Sequence, residues 1–166
     1  MINIPYSRQF IDEEDLKFVE QVLLSDWITQ GPAIDLFEKN ISLYTASNFC
    51  VCVSNATSAL YLTYLALGLG HDKVLWTVPN TFVATSNAAL YCGASVDFVD
   101  IDLKTYCIST EALENKLNQH RKQGLSLPYI LTVVHFAGQS CDMVEIKRLS
   151  EEYGFFIVED ASHAIG

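Results

Sequence analysis

Basic residues are scarce in this 166-residue sequence, which has 10 Lys and Arg against 20 Asp and Glu and a formal net charge of −10. Nucleic-acid grooves and anionic membrane surfaces both attract proteins through an excess of Lys and Arg. We therefore expect neither a nucleic acid nor a membrane as a partner. A phosphate-bearing small molecule is compatible with this charge, because backbone N–H groups at the start of a helix can hold one phosphate.

Several common sequence signatures are missing as well. The sequence has neither G-x-x-x-x-G-K, the loop of P-loop nucleotide hydrolases, nor G-x-G-x-x-G, the dinucleotide fingerprint. No apolar run reaches the ~18 residues of a membrane span, and no apolar leader segment follows Met1. The five cysteines are irregularly spaced and include no C-x-x-C pair. Together these absences predict a cytoplasmic protein whose thiols stay reduced.

What the sequence does contain is an alternation of amphipathic helices and short apolar strands. Two amphipathic helices are predicted first, over 12–27 and 33–44, and they form an N-terminal helical arm over 1–46. Five apolar strands, separated by helices, are predicted at 49–53, 73–78, 95–99, 128–134 and 155–158. Apolar strands that alternate with helices indicate an α/β fold, in which a mostly parallel sheet carries helices on both faces.

Two segments whose residues could bind a ligand come directly after predicted strands, where open parallel sheets bind their ligands. The small polar residues S-N-A-T-S at 54–58 start a helix and can offer open backbone N–H groups to an anion. Ordinary capping by Ser54 or Asn55 is the alternative there. In P-N-T-F-V-A-T, Phe82 can stack on a planar ligand, and a place in the apolar core is the alternative. Asn80 or Thr81 is predicted to cap the helix that follows.

Two further segments follow the last two predicted strands. His135 can contact a ligand or serve as a hydrogen-bonded structural residue. Asp160, with Ser162 and His163 close behind it, can bind a ligand or cap a helix. Because side chains alternate along a strand, Glu159 and Asp160 are expected on opposite faces of the sheet. Parallel strands end at one edge, so all four segments are predicted to meet there.

The motifs taken in order carry a family resemblance. They read W-I-T-Q-G-P, S-N-A-T-S-A-L, P-N-T-F-V-A-T, G-A-S-V-D-F-V-D-I-D, V-H-F-A-G and V-E-D-A-S-H-A-I-G. This series resembles the pyridoxal-phosphate-dependent sugar aminotransferases of the DegT/DnrJ/EryC/StrS family over essentially the whole chain. The resemblance implies that 47–166 is an incomplete large domain of a fold type I pyridoxal-phosphate-dependent transferase, without the C-terminal small domain.

The resemblance also implies roles for five residues. Ala56 and Thr57 would hold the phosphate of pyridoxal 5′-phosphate through backbone and hydroxyl groups. Phe82 would stack on the pyridine ring, Asp160 would pair with the pyridine nitrogen, and His163 would lie close to the phenolic oxygen. A carboxylate beside the ring nitrogen favours its protonated form, and the pyridinium is the electron sink that transamination needs.

One family feature falls outside residues 1–166. The Schiff-base lysine of these enzymes lies in a downstream S-F-x-x-x-K context, beyond the segment that ends at Gly166, and none of the seven lysines present has that setting. We therefore expect the chain to be the amino-terminal part of an aminotransferase and to be inactive alone. The alternatives are a dehydratase of the same fold, in which His replaces that lysine, and a non-catalytic remnant or binding module.

The substrate and the assembly of the parent enzyme are implied by the same resemblance. The N-A-T-S-A-L and D-A-S-H-A-x-G versions of the motifs are most similar to one branch of the family. That branch aminates a UDP-linked 4-keto-6-deoxy-N-acetylhexosamine on the route to pseudaminic acid. The full-length parent is therefore expected to bind a nucleotide-sugar and an amino-acid donor such as glutamate, and to work as a homodimer.

Overall fold

The computed structural model describes residue 5 and residues 8–165 and separates into two compact units, Met1–Cys52 and Val53–Gly166. The described part of the first unit contains helices α1 (Glu13–Leu23) and α2 (Pro32–Thr45), as predicted. Helix α1 ends four residues before the predicted limit. The Ser25 hydroxyl donates to the carbonyl oxygen of Val22 at 2.8 Å, and such a side-chain bond competes with the continuing helix.

The second unit is a four-stranded parallel sheet covered by four α-helices. The strands are β1 (Val74–Thr77), β2 (Ser95–Phe98), β3 (Ile130–Val134) and β4 (Phe156–Asp160). The helices are α3 (Ala56–Ala66), α4 (Ala84–Tyr91), α5 (Thr110–Gln123) and α6 (Met143–Tyr153). A single 3-10 turn, Phe136–Gly138, follows β3. The strand order is β2-β1-β3-β4 and every pair is parallel, which confirms the predicted fold class.

Two apolar cores lie on the two faces of this sheet. Trp76 and Leu131 pack with the apolar sides of α5 and α6 on one face. Leu75 and Ile130, their neighbours along the strands, pack with α3 and α4 on the other. Because β1 and β3 are covered on both faces, nearly every residue in them is buried, and this explains why their sequences are almost continuously apolar.

The strand predicted over 49–53 is wrong. None of these residues pairs with a strand in the described part of the chain, and Phe49 and Val51 are 88% and 78% exposed. A strand forms only where a neighbour accepts its backbone hydrogen bonds, whatever its β-propensity. Here the N–H of Cys52 donates instead to the Glu38 carboxylate at 2.6 Å. The sheet of the described residues therefore has four strands rather than five.

The predicted helix caps are partly confirmed. The sequence also predicts Ser109, which has acidic residues close behind it, as a helix cap. This is confirmed: Ser109 caps α5, because its hydroxyl accepts from the N–H of Ala112. The cap predicted at Asn80 or Thr81 is wrong: α4 begins later, at Ala84, and has no side-chain cap. The Thr81 hydroxyl is bonded instead to the hydroxyl of Thr85.

The helices of the described residues are short. The longest, α2 and α5, have 14 residues each, whereas a membrane-spanning helix needs about 20 apolar ones. Between residues 8 and 165, no helix combines the length and the apolar character required to cross a membrane.

Candidate functional site

The order of the strands singles out one point of the sheet edge as a place for a ligand. From β1 the chain moves outward to β2, and from β3 it moves in the opposite direction to β4, so the order reverses between β1 and β3. Ligands of open α/β sheets bind outside the carboxyl ends of the strands at such a reversal. A side-chain bond ties the two strands together beneath it, from the Thr77 hydroxyl to the carbonyl oxygen of Thr132 at 2.9 Å.

Asp160 ends β4 at this edge, and its carboxylate is held from two sides. One oxygen, Oδ2, accepts from the Thr85 hydroxyl at 3.1 Å. The other, Oδ1, accepts from the hydroxyl and the backbone N–H of Ser162, at 2.6 and 3.3 Å. The residues that follow, 161–165, form a turn and not a helix. Asp160 is therefore a fixed, partly exposed carboxylate, and the helix-cap alternative is excluded for the described residues.

A buried polar layer supports this carboxylate from below. Tyr64, Thr85 and Thr132 have no exposed surface. The Tyr64 hydroxyl donates to the carbonyl oxygen of Thr85 at 3.1 Å and accepts from the Thr132 hydroxyl at 2.9 Å. Burial raises the pKa of Tyr64 above its ordinary value, and the negative charge of Asp160 acts in the same direction. The phenol is therefore protonated at physiological pH and acts as a hydrogen-bond donor.

Phe82 lies in the loop between β1 and α4 and leaves 74% of its surface exposed. The alternative in which Phe82 belongs to the apolar core is therefore wrong. Its neighbour Thr81 is hydrogen-bonded at 2.9 Å to Thr85, which in turn contacts Asp160. The loop that carries this solvent-facing ring is thus linked to the carboxylate through two hydrogen bonds, which start at Thr81.

At the start of α3 the structure shows the capping that is one of the two alternatives predicted from the sequence. Asn55 caps the helix, because its side-chain oxygen accepts from the N–H of Ser58 at 2.9 Å. Among the described residues, no group accepts from the N–H of Ala56 or Thr57, so these two donors stay open to an anion. The hydrogen-bonded group around the carboxylate, here called the Asp160 network, consists of Asp160, Ser162, Thr81, Thr85, Tyr64 and Thr132. Helix α3 joins it through Tyr64, which lies eight residues after Ala56, about 12 Å along the axis.

His163 lies in the exposed turn after β4. This turn contacts the segment that follows β3, because a Cβ atom added at Gly138 would lie 3.1 Å from the carbonyl oxygen of His163. Gly138 also has a φ of +85°, a left-handed conformation that favours glycine. A glycine at this position therefore allows the two segments to approach each other at the site.

Replacing Gly138 with Ala is expected to lower the free energy of unfolding by about 2–3 kcal/mol, because left-handed strain and the close carbonyl add up. Gly154→Ala is the matched control: its φ is +78°, but no atom lies within 4 Å of an added Cβ, so only the strain, about 1–2 kcal/mol, remains. Urea unfolding of both variants measures the difference. Equal losses of stability in the two variants would show that the close approach to the His163 carbonyl oxygen does not contribute to the effect.

His135 is a structural residue. Its Nδ1 accepts from the N–H of Cys141 at 3.1 Å, which assigns the ring proton to Nε2, and Nε2 donates to the Glu159 carboxylate at 2.8 Å. Cys141 belongs to the core on the α5 and α6 side of the sheet. Glu159 and Asp160 thus bind partners on opposite faces, as predicted. Of the two alternatives for His135, the structure supports the hydrogen-bonded structural role.

The supporting residues Tyr64, Thr85 and Thr132 were not assigned a role from the sequence. One signal was available: Thr132 is the polar residue within the apolar strand I-L-T-V-V, and a hydroxyl at such a position needs a buried partner. No sequence pattern indicates that its partner is Tyr64, 68 residues earlier. This pairing depends on the packing of α3 on the sheet.

Comparison with known proteins connects these features to a family. Residues 9–166 match the DegT/DnrJ/EryC1/StrS aminotransferase family. The chain is 39% identical over 163 residues to the UDP-4-amino-4,6-dideoxy-N-acetyl-beta-L-altrosamine transaminase of Campylobacter jejuni (strain 81-176), covering 98% of this chain and 42% of that protein. It is 35% identical to the spore coat polysaccharide biosynthesis protein SpsC of Bacillus subtilis, covering 98% and 40% of the two chains.

A solved structure shows the same relationship. The PLP form of the Streptococcus pneumoniae protein Spr1654 superposes with a TM-score of 0.86 at 29% identity, covering 99% of this chain and 44% of that one. The chain thus spans about 40% of the length of the curated relatives that it matches. On its sequence and its fold, it belongs to the DegT/DnrJ/EryC1/StrS aminotransferase family.

Proposed function

We propose that this chain supplies the cofactor site of a pyridoxal-5′-phosphate-dependent aminotransferase that acts on a nucleotide-linked keto-sugar. The observation that carries the proposal is the Asp160 carboxylate, fixed at the carboxyl edge of the sheet by Thr85 and Ser162. A pyridine ring needs such a carboxylate beside its nitrogen to remain protonated. When bound, the cofactor supplies an electron sink for the carbanion of the amino donor.

The described residues fit this cofactor at three points. Asp160 presents oxygens that only accept hydrogen bonds, as a protonated ring nitrogen requires. Phe82 is an exposed aromatic side chain in the adjoining loop and can stack on a planar ring. The open N–H groups of Ala56 and Thr57 suit a phosphate, which the helix dipole of α3 also favours. We assign His163 to the neighbourhood of the phenolic oxygen.

The substrate proposal rests on the relatives. The Campylobacter jejuni protein is named as a transaminase of a UDP-linked amino-dideoxy sugar. We assign to the protein containing this chain a UDP-linked 4-keto-6-deoxy-N-acetylhexosamine as acceptor and glutamate as donor, in the pseudaminic acid route. We further propose that it works as a cytoplasmic homodimer, and that a lysine downstream of Gly166 binds the cofactor covalently and moves the proton.

The test uses the longest open reading frame that contains residues 1–166. We expect the purified protein to bind pyridoxal 5′-phosphate with a new absorbance band, and to form an amino-sugar from glutamate and the UDP-linked 4-keto-sugar, detected by mass spectrometry. A product that has lost the 3-hydroxyl without gaining nitrogen would identify a dehydratase instead. Absence of both cofactor binding and turnover would overturn the proposal.

Replacing Phe82 with Ala is expected to weaken cofactor binding about 3–10-fold, because a stacking surface of this size is lost. Since the side chain is largely exposed, the melting temperature without cofactor should hardly change. Phe156→Ala, the same replacement at the amino end of β4, is the control and should leave the dissociation constant unaltered. Equal affinities for the wild type and the Phe82 variant would exclude Phe82 from the site.

A further inference from the structure

Thr85 occupies a distinctive position in the Asp160 network. Its side chain is completely buried in the first turn of α4. A hydroxyl group has one hydrogen, and here that hydrogen goes to Asp160 Oδ2 at 3.1 Å. The bond of 2.9 Å to the Thr81 hydroxyl must therefore run from Thr81 to Thr85. The hydrogens form a one-way chain from Thr81 through Thr85 to the carboxylate.

The backbone of Thr85 is fixed as well. Its carbonyl oxygen accepts from the Tyr64 hydroxyl at 3.1 Å, and Tyr64 accepts in turn from the hydroxyl of Thr132 on β3. Tyr64 and Thr132 have no exposed surface. Thr85 is thus anchored from α3 and from the sheet, and a donor held in this way cannot follow the carboxylate if it rotates. The carboxylate must instead adopt the orientation that Thr85 sets.

Counting acceptor positions shows which carboxylate oxygen is available to a ligand. Each oxygen has two lone pairs. Oδ1 accepts twice from Ser162, whereas Oδ2 accepts once, from Thr85. We infer that Oδ2 receives the N–H of the cofactor ring and that Thr85 is the positioning residue that directs its remaining lone pair. This inference rests on the proposed function.

The experiment measures ring protonation and affinity rather than turnover. The full open reading frame is loaded with pyridoxal 5′-phosphate labelled with ¹⁵N at the ring nitrogen, whose chemical shift reports its protonation. Thr85→Val keeps the shape of the side chain and removes the hydroxyl, and Thr85→Ser keeps the hydroxyl. Thr81→Val removes only the first donor of the chain, in a partly exposed loop.

We expect Thr85→Val to weaken cofactor binding about 10-fold, as is typical for the loss of a hydrogen bond to a charged group, and to move the ¹⁵N shift toward unprotonated pyridine. Thr85→Ser should restore both values. Thr81→Val should move the shift in the same direction by less, and it tests the inference even if Thr85→Val does not fold.

Two results would overturn the inference while leaving the proposed function intact. The first is a wild type that binds the cofactor and a Thr85→Val variant with the same shift and affinity. The second is an equal loss in Thr85→Val and Thr85→Ser, which would show that Thr85 acts through packing alone. A wild type that does not bind the cofactor would overturn the proposed function itself.

Discussion

Replacing Asp160 with Asn is expected to lower the proposed transaminase activity of the full open reading frame about 10²–10³-fold, the usual loss when a group that stabilises developing charge is removed. Asn has nearly the same shape as Asp but is neutral, so it cannot hold a proton on the ring nitrogen. The Thr85 hydroxyl, which donates to this side chain, would also meet an amide that can itself donate. Steady-state kinetics at saturating cofactor measures the loss in kcat.

Glu159→Gln is the matched control for this experiment. Glu159 is the adjacent carboxylate on the same strand, but it binds His135 and faces away from the Asp160 network. A glutamine oxygen can still accept from His135 Nε2, so we expect a stability change within about 0.5 kcal/mol and no effect on activity. Equal losses of activity in the two variants would mean that the carboxylates at the end of β4 act through general electrostatics. A fully active Asp160→Asn variant would remove Asp160 from the mechanism.

Replacing Leu131 with Ala is expected to lower the free energy of unfolding by about 2–5 kcal/mol, the range for deletion of a large buried aliphatic side chain. Leu131 lies on the central strand β3, has no exposed surface and belongs to the core under α5 and α6. The strand pairs with β1 on one side and β4 on the other. A cavity here would loosen the face of the sheet on which α5 and α6 pack.

Leu103→Ala makes the same chemical change on the surface, where the side chain is 80% exposed. It should shift stability by no more than about 0.5 kcal/mol. Urea titrations of the two variants and the wild type, followed by circular dichroism, give the comparison. Similar midpoints for Leu131→Ala and the wild type would contradict the assigned core and the central place of β3.

The hydrophobic periodicity of the sequence predicted well the helices and strands that pack against one another through their apolar residues. The sequence predicts a helix over Met143–Tyr153, and α6 has these limits because Asp142 caps the helix and Gly154 ends it in a left-handed conformation. The two central strands, β1 and β3, were found because each is a buried apolar run. The segment at 49–53 has the same composition but lacks a pairing partner among the described residues, and composition cannot report whether a partner exists.

The residues of the candidate site also fall into two groups, those that the sequence could indicate and those that it could not. Asp160 and Phe82 could be singled out because each follows a predicted strand, and ligand positions in parallel sheets are set by topology. Tyr64 and Thr85 could not, because their roles depend on contacts between residues far apart in the sequence. The bond from Thr85 to Asp160 spans 75 positions. Local patterns thus located the residues at the sheet edge but not the buried hydroxyls that orient them.

The most direct test is a crystal structure of the full open reading frame with pyridoxamine 5′-phosphate, which needs no covalent bond to lysine. We predict that the ring nitrogen lies about 2.7–3.2 Å from the Asp160 oxygen that also accepts from Thr85, with Phe82 against the ring and the phosphate at the N–H groups of Ala56 and Thr57. A ring bound at the same edge whose nitrogen faces another group, or a cofactor bound elsewhere, would contradict the account.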